Sequence, residues 1–138
     1  MSALRSHATV ALGSALGALA RYGIGLGFAG AAFPWATLIA NLAGSVLIGA
    51  WYALTGPGGA IAITDLQRLF MVAGFCGGFT TFSIFSLETL ELAAGGAHGA
   101  AAANVALSAL LWMGGVWTGM AAGAAASGYA RRHSRRSG

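Results

Sequence analysis

The chain has 138 residues, 57% of them hydrophobic and 7% charged, with a formal net charge of +4 and a mean hydropathy of +0.76. A water-soluble domain carries about a quarter charged residues, so this composition excludes a soluble enzyme or binding module and describes an integral membrane protein. One cysteine, Cys76, excludes an internal disulfide and a cysteine-cluster metal site.

Charged residues outline the spans. None falls between Tyr22 and Thr64, between Leu69 and Leu87, or between Leu92 and Ala130, and each gap holds at least one apolar span of about 20 residues. The first gap is divided by Gly30-Ala31-Ala32-Phe33-Pro34-Trp35, where proline ends or starts a helix and the aromatics suit a membrane interface. The pattern predicts a single all-α transmembrane domain over 1–138, with helices at about 4–28, 34–56, 66–93 and 98–127 and a basic tail at about 128–138.

In the first helix, the segment after Arg5 is too long for a signal peptide and is expected to stay as a span. Gly13-Ser-Ala-Leu-Gly17 spaces small residues for close helix approach, and Arg21 stands near the helix end. Arg21 either snorkels to the interface or draws anions into a vestibule. On the second helix Thr37, Asn41 and Ser45 are four residues apart and form one polar stripe. Polar groups in hydrocarbon are costly and face the bundle interior, so this stripe reads either as helix–helix glue or as the wall of a pathway.

After the turn Thr55-Gly56-Pro57-Gly58-Gly59, the third helix holds Gly77-Gly78 at mid-span, preceded by Gly74 and followed by Phe82, Phe85 and Glu88 at three-residue spacing. Two adjacent glycines predict a helix broken near its middle. Backbone freed at this depth must be buried in protein or line a cavity, and free carbonyls are natural ligands for a hard cation. Two phenylalanines at helical spacing ordinarily mean packing; beside an ion site, the positive edges of their rings can also meet an anion. Glu88 is an acceptor at a pore mouth, a partner for Arg21 or an interface anchor. Asp65 and Glu91 read as solvated charges at helix ends.

The fourth helix starts in the run Gly99-Ala100-Ala101-Ala102-Ala103 and spaces Gly115, Gly119 and Gly123 four apart, a small-residue seam that, with Gly13 and Gly17, points to an oligomer. Four spans put both termini on one side. Arg5, Arg68 and the tail arginines Arg131, Arg132, Arg135 and Arg136 all fall there, which predicts cytoplasmic termini. The tail reads as a solvated, lipid-touching segment that sets orientation, not as a nucleic-acid surface.

Three stretches together resemble one family, the small bacterial fluoride channels called Fluc or CrcB. They are Gly17-Ala18-Leu19-Ala20-Arg21-Tyr22, Thr37-Leu38-Ile39-Ala40-Asn41-Leu42-Ala43-Gly44 after Pro34-Trp35, and Gly74-Phe75-Cys76-Gly77-Gly78-Phe79-Thr80-Thr81-Phe82-Ser83-Ile84-Phe85-Ser86 with Glu88 following. The motifs stand in the family's order, and the four-helix plan covers nearly the whole chain.

The resemblance implies a multi-pass protein of the bacterial inner membrane that lets fluoride leave the cytoplasm passively. It implies an antiparallel, dual-topology homodimer with two pores along the interface. It also implies a structural sodium ion, not transported, held at the dimer centre by backbone carbonyls that correspond to Gly77 and Thr80. Phe82 and Phe85 match the rings that approach fluoride, Asn41 matches the pore asparagine, and Thr37, Arg21, Glu88 and Ser108 complete the expected pathway. Two departures stand out. The polar track on the fourth helix is matched by Asn104 and Ser108, but the next turn carries Leu111 and Trp112 where the family has a hydroxyl, and Thr118 lies about 80° around the helix from Ser108. The arginine bias also conflicts with insertion in both orientations, which leaves room for a heterodimer with an oppositely oriented relative.

Two rivals come from other classes. A small four-helix multidrug exporter that exchanges protons would carry an acidic residue in its first helix, where this chain has Arg21 and no carboxylate. A non-transporting assembly subunit would account for the small-residue seams but not for the third-helix motif.

Overall fold

A computed structural model describes residues 3–134. Arg135 and Arg136 of the basic tail lie outside the described residues. All regular structure among the described residues is helical, and four segments are long and apolar enough to cross a membrane. They are α1 (Ala3–Gly27), α2 (Trp35–Thr55), a compound third span (Asp65–Ala94) and the last helix, α6 (His98–Ser134).

Local sequence accounts for several of the ends. Pro34 precedes α2, where a missing N–H is harmless and φ is already set. Thr64 opens the third span with a capping box: the Gln67 N–H donates to Thr64 Oγ1 at 3.3 Å, and the Thr64 N–H donates to Gln67 Oε1 at 2.8 Å. Gly96 closes it with φ +82°, a left-handed conformation in which a side chain would be strained. Helix α6 runs past the expected end near residue 127, continuing through Gly128, Tyr129 and Ala130 to Ser134. Arg131, Arg132 and His133 then occupy its last turn, where positive charge complements the helix dipole.

The third span is composite. It begins as α3 (Asp65–Arg68), widens into a π-helical stretch (Leu69–Cys76), returns to α4 (Gly77–Phe79) and resumes as α5 (Ser83–Ala94). Between α4 and α5, residues 80–82 are not helical, and Thr80 is fully extended at φ −86°, ψ 160°. Gly77 and Gly78, where the interruption was expected to start, are helical themselves.

Gly78 serves packing instead, together with Gly74 and Gly17, whereas a Cβ on Gly77 would meet nothing nearer than the Val72 carbonyl at 3.8 Å. A Cβ built on Gly78 would run into the backbone of Ser14, one on Gly74 would sit 3.0 Å from the Gly13 Cα, and one on Gly17 would meet the Phe75 carbonyl. Helix α1 thus lies backbone to backbone on the π-helical stretch and α4. Helices α2 and α6 form the second close pair: Gly119 faces the Val46 carbonyl, Gly123 the Ala50 carbonyl and Gly49 the Val116 carbonyl. The small-residue seams that pointed to an oligomer are therefore used within one protomer. Beyond α6's midpoint, Ser127 ties the helix to the α2 end, donating to the Ala53 carbonyl and accepting from the Ala60 N–H, each at 3.3 Å.

Candidate functional site

The non-helical residues between α4 and α5 are held from α2. Asn41, 5% exposed, donates through Nδ2 to the Thr81 carbonyl at 2.8 Å and accepts the Thr81 N–H on Oδ1 at 2.7 Å. One side-chain amide thereby satisfies both polar groups of Thr81, which would otherwise be unpaired inside the membrane. Thr81 in turn accepts the Ile84 N–H on Oγ1 at 3.2 Å, a side-chain cap on the start of α5.

These bonds free particular carbonyls. In a continuous α-helix the N–H of residue 81 would bond to the carbonyl of residue 77, and that of residue 84 to the carbonyl of residue 80. Here the Thr81 N–H goes to Asn41 and the Ile84 N–H to Thr81 Oγ1. Gly77 and Thr80, expected to supply backbone oxygens to a cation, are among several residues around the interruption whose carbonyls lose their helical donors. The Thr80 hydroxyl donates its hydrogen to the Cys76 carbonyl at 2.8 Å.

Gly77, Thr80 and Thr81 line a cavity of about 350 Å³ together with Asn41, Ser45 and Phe82. Its far wall is Trp112 of α6. Phe82 is 71% exposed, whereas Phe85 is buried at 9%. Their ring centroids lie 5.6 Å apart, and Phe85 meets Trp112 edge to face at 5.0 Å with an interplanar angle of 72°. The three rings form one continuous aromatic row from the protein surface to α6.

On α6, Asn104 and Ser108 are each 1% exposed. Asn104 donates to the Thr89 hydroxyl at 2.9 Å. Neither Ser108 Oγ nor Trp112 Nε1 has a hydrogen-bond partner, although both atoms are buried. Thr118, by contrast, is exposed and bonds only to the Gly115 carbonyl of its own helix, so it takes no part in this wall.

The remaining expected residues gather in a second cavity of about 340 Å³ lined by Arg21, Thr37 and Glu88. The Thr37 hydroxyl donates to Glu88 Oε1 at 2.9 Å, and the other carboxylate oxygen, Oε2, is buried without a partner. Arg21 is directed to the Gly78 carbonyl through Nε at 3.5 Å and stands on the same cavity wall as Glu88. The polar stripe on α2 is thus divided: Thr37 serves the Arg21–Glu88 cavity, and Asn41 and Ser45 serve the cavity at residues 80–82. Thr81 is the residue that reading by spacing passed over. A hydroxyl standing three residues before Ile84, at the start of a new helical run, is the signature that marks it as a cap.

Comparison with known proteins adds the following. A family model described as CrcB-like protein, Camphor Resistance (CrcB), matches residues 8–120. The fluoride-specific ion channel FluC of Rhodospirillum rubrum is 50% identical over 113 residues, covering 80% of this chain and 88% of that protein. The protein of the same name from Paramagnetospirillum magneticum is 47% identical over 117 residues, covering 83% and 91%. That of Rhodospirillum centenum is 49% identical over 116 residues, covering 81% and 90%.

Proposed function

We infer the activity from one premise: the chain belongs to the CrcB family. It is a multi-pass fluoride-specific ion channel, and its activity is transport, with no covalent chemistry on a substrate. Hydrofluoric acid crosses a bilayer as the neutral molecule and dissociates inside, and the channel lets the trapped anion leave down its electrochemical gradient. An inside-negative potential favours that direction. The first helix carries Arg21 and no carboxylate, which does not fit the proton-coupled exporter.

The observation that carries the reading beyond the family is the Asn41 clamp on Thr81, which holds the non-helical segment beside a cavity lined by Gly77, Thr80, Thr81 and Phe82. Fluoride is small and strongly hydrated, so a path for it has to replace water with donors and positive ring edges while staying narrow. Asn41 Nδ2 has a second N–H beyond the one given to Thr81. With the edges of Phe82 and Phe85, it forms the proposed pathway. Ser108 extends the path along α6, and Thr37, Arg21 and Glu88 form its vestibule. A structural sodium ion on the Gly77 and Thr80 carbonyls fits the donor set, since uncharged backbone oxygens suit a hard monovalent cation; bound there, it would add a fixed positive field beside the path.

An antiparallel dimer is part of the proposal. Phe82 is 71% exposed, and the cavity holding Asn41 and Thr81 is open at the protomer surface. Hydrocarbon would be a poor cover for such polar backbone, and a second protomer, a copy of this chain or an oppositely oriented relative, closes it. The membrane is assigned as the bacterial inner membrane; Arg5, Arg68 and the arginine tail favour cytoplasmic termini for one protomer, and its antiparallel partner is inserted the other way.

Vesicles reconstituted with the protein and loaded with potassium fluoride are expected to release fluoride when a potassium ionophore is added, as read by an ion-selective electrode. Vesicles loaded with chloride are expected to retain it. No fluoride release, or equal release of chloride, would refute the channel. The ring-edge argument makes a second prediction in the same assay. Phe82→Ile and Phe85→Ile keep apolar bulk but lose the quadrupole, and each is expected to slow fluoride release by about tenfold while assembly is unchanged. Wild-type release from both variants would return the rings to a packing role.

A further inference from the structure

We infer that Trp112 is a specificity-determining residue of this pathway: its indole N–H donates to the anion that has shed its water, and its ring sets the plane of Phe85. This rests on the channel reading above and assigns the residue on α6 that completes the donor set.

Tryptophans that anchor a protein at a membrane surface keep the N–H toward water, and the 44% exposed Trp35 and 75% exposed Trp117 fit that use. Trp112 differs. Its Nε1 is buried and has no hydrogen-bond partner, although the side chain forms a wall of the cavity that holds Asn41, Thr80, Thr81 and Phe82. An indole nitrogen only donates, and a buried donor left without an acceptor is unfavourable. The missing acceptor therefore comes from outside the packed side chains.

Its neighbours say what kind of acceptor. One turn earlier on α6, Ser108 Oγ is also buried and unpartnered, and Asn41 has a spare amide N–H. No carboxylate lines this cavity. The indole and amide N–H groups, with no carboxylate against them, suit an anion, while the Gly77 and Thr80 carbonyls on the same cavity are left to the proposed cation. The edge-to-face contact of Trp112 with Phe85 at 5.0 Å has a second effect, because it fixes how Phe85 is turned relative to Phe82, and the bulk of the indole narrows the space left for a larger ion.

Two measurements test this. In micelles, with indole nitrogens labelled with nitrogen-15, the Trp112 N–H resonance, assigned by its loss in Trp112→Phe, is expected to move on addition of sodium fluoride but not of sodium chloride. In the vesicle assay, Trp112→Phe keeps the ring, removes the donor and is expected to cut fluoride release at least about tenfold. Trp112→Ser restores a donor with less bulk, and it is expected to conduct fluoride and to begin leaking chloride. A resonance unmoved by fluoride, or Trp112→Phe releasing fluoride at the wild-type rate, overturns the assignment. If Trp112→Phe fails to assemble, the Trp112 resonance is assigned as the one that survives in Trp35→Phe, Trp51→Phe and Trp117→Phe, and its response to fluoride decides. Wild-type vesicles that release no fluoride overturn the channel reading instead.

Discussion

Asn41→Ala is expected to abolish fluoride release and to lower the unfolding free energy in detergent by about 2–6 kcal/mol, the cost of leaving one buried N–H and one buried C=O unpaired. The two bonds lost are those to the Thr81 carbonyl at 2.8 Å and from the Thr81 N–H at 2.7 Å. Without them the non-helical segment that begins with the extended Thr80 loses its anchor on α2. Asn41→Asp separates the two halves of the clamp: its carboxylate still accepts from the Thr81 N–H but faces the Thr81 carbonyl with no donor. It is expected to lie between alanine and wild type in stability and to conduct no fluoride, since a negative charge then stands where the spare amide donor was. Denaturant titration beside the vesicle assay distinguishes these outcomes. An alanine variant with wild-type stability would show that the Thr81 peptide finds other partners.

Gly17→Val is expected to prevent assembly altogether. A Cβ at Gly17 would collide with the Phe75 carbonyl and lie 2.7 Å from the Phe79 nitrogen and 3.1 Å from the Gly78 carbonyl carbon. All three are backbone atoms of the third span, so no side chain can rotate away. Either α1 separates from that span or the segment leading to Thr80 shifts. Both displace Gly78, whose carbonyl faces Arg21. Overpacking of a well-packed contact costs about 1–3 kcal/mol when the surroundings can adjust, and rigid backbone on both sides places this site at or above the top of that range. Size-exclusion chromatography in mild detergent, with loss of the monodisperse peak, reads the effect. Gly23→Ala is the control on the same helix: nothing lies within 4 Å of its Cβ position, and alanine is the better helix former by up to about 1 kcal/mol. A monodisperse, fluoride-conducting Gly17→Val protein would mean that the α1 crossing is not rigid.

The two variants show how differently parts of this protein can be read. Asn41 stood out in the sequence because it interrupts an apolar helix in line with Thr37 and Ser45, a periodicity visible in a few residues. Its partner did not stand out, because Thr81 is 40 positions away and looks like one hydroxyl among several. Gly77 and Gly78 were legible as unusual but not in their use. Glycines that break a helix and glycines that admit a neighbouring backbone look alike in sequence, and only the position of Ser14 against Gly78 and of Gly13 against Gly74 identifies these two as crossing points. The same holds for Gly115, Gly119 and Gly123, whose spacing announces a close helix contact without saying whether the other helix belongs to the same protomer.

Membrane residence, the four spans and the candidate polar residues follow from hydropathy, charge gaps and helical spacing, all local properties of the chain. The family resemblance, carried by a handful of contiguous motifs, supplied fluoride as the ion. Which carbonyls lose their helical donors, which glycines are crossing points and whether Trp112 Nε1 finds a partner depend on segments tens of residues apart meeting in space. A hydrogen bond diverted from i→i−4 to a side chain on another helix leaves no trace in local periodicity, so this information resides in the packing of α1, α2 and α6 around the third span.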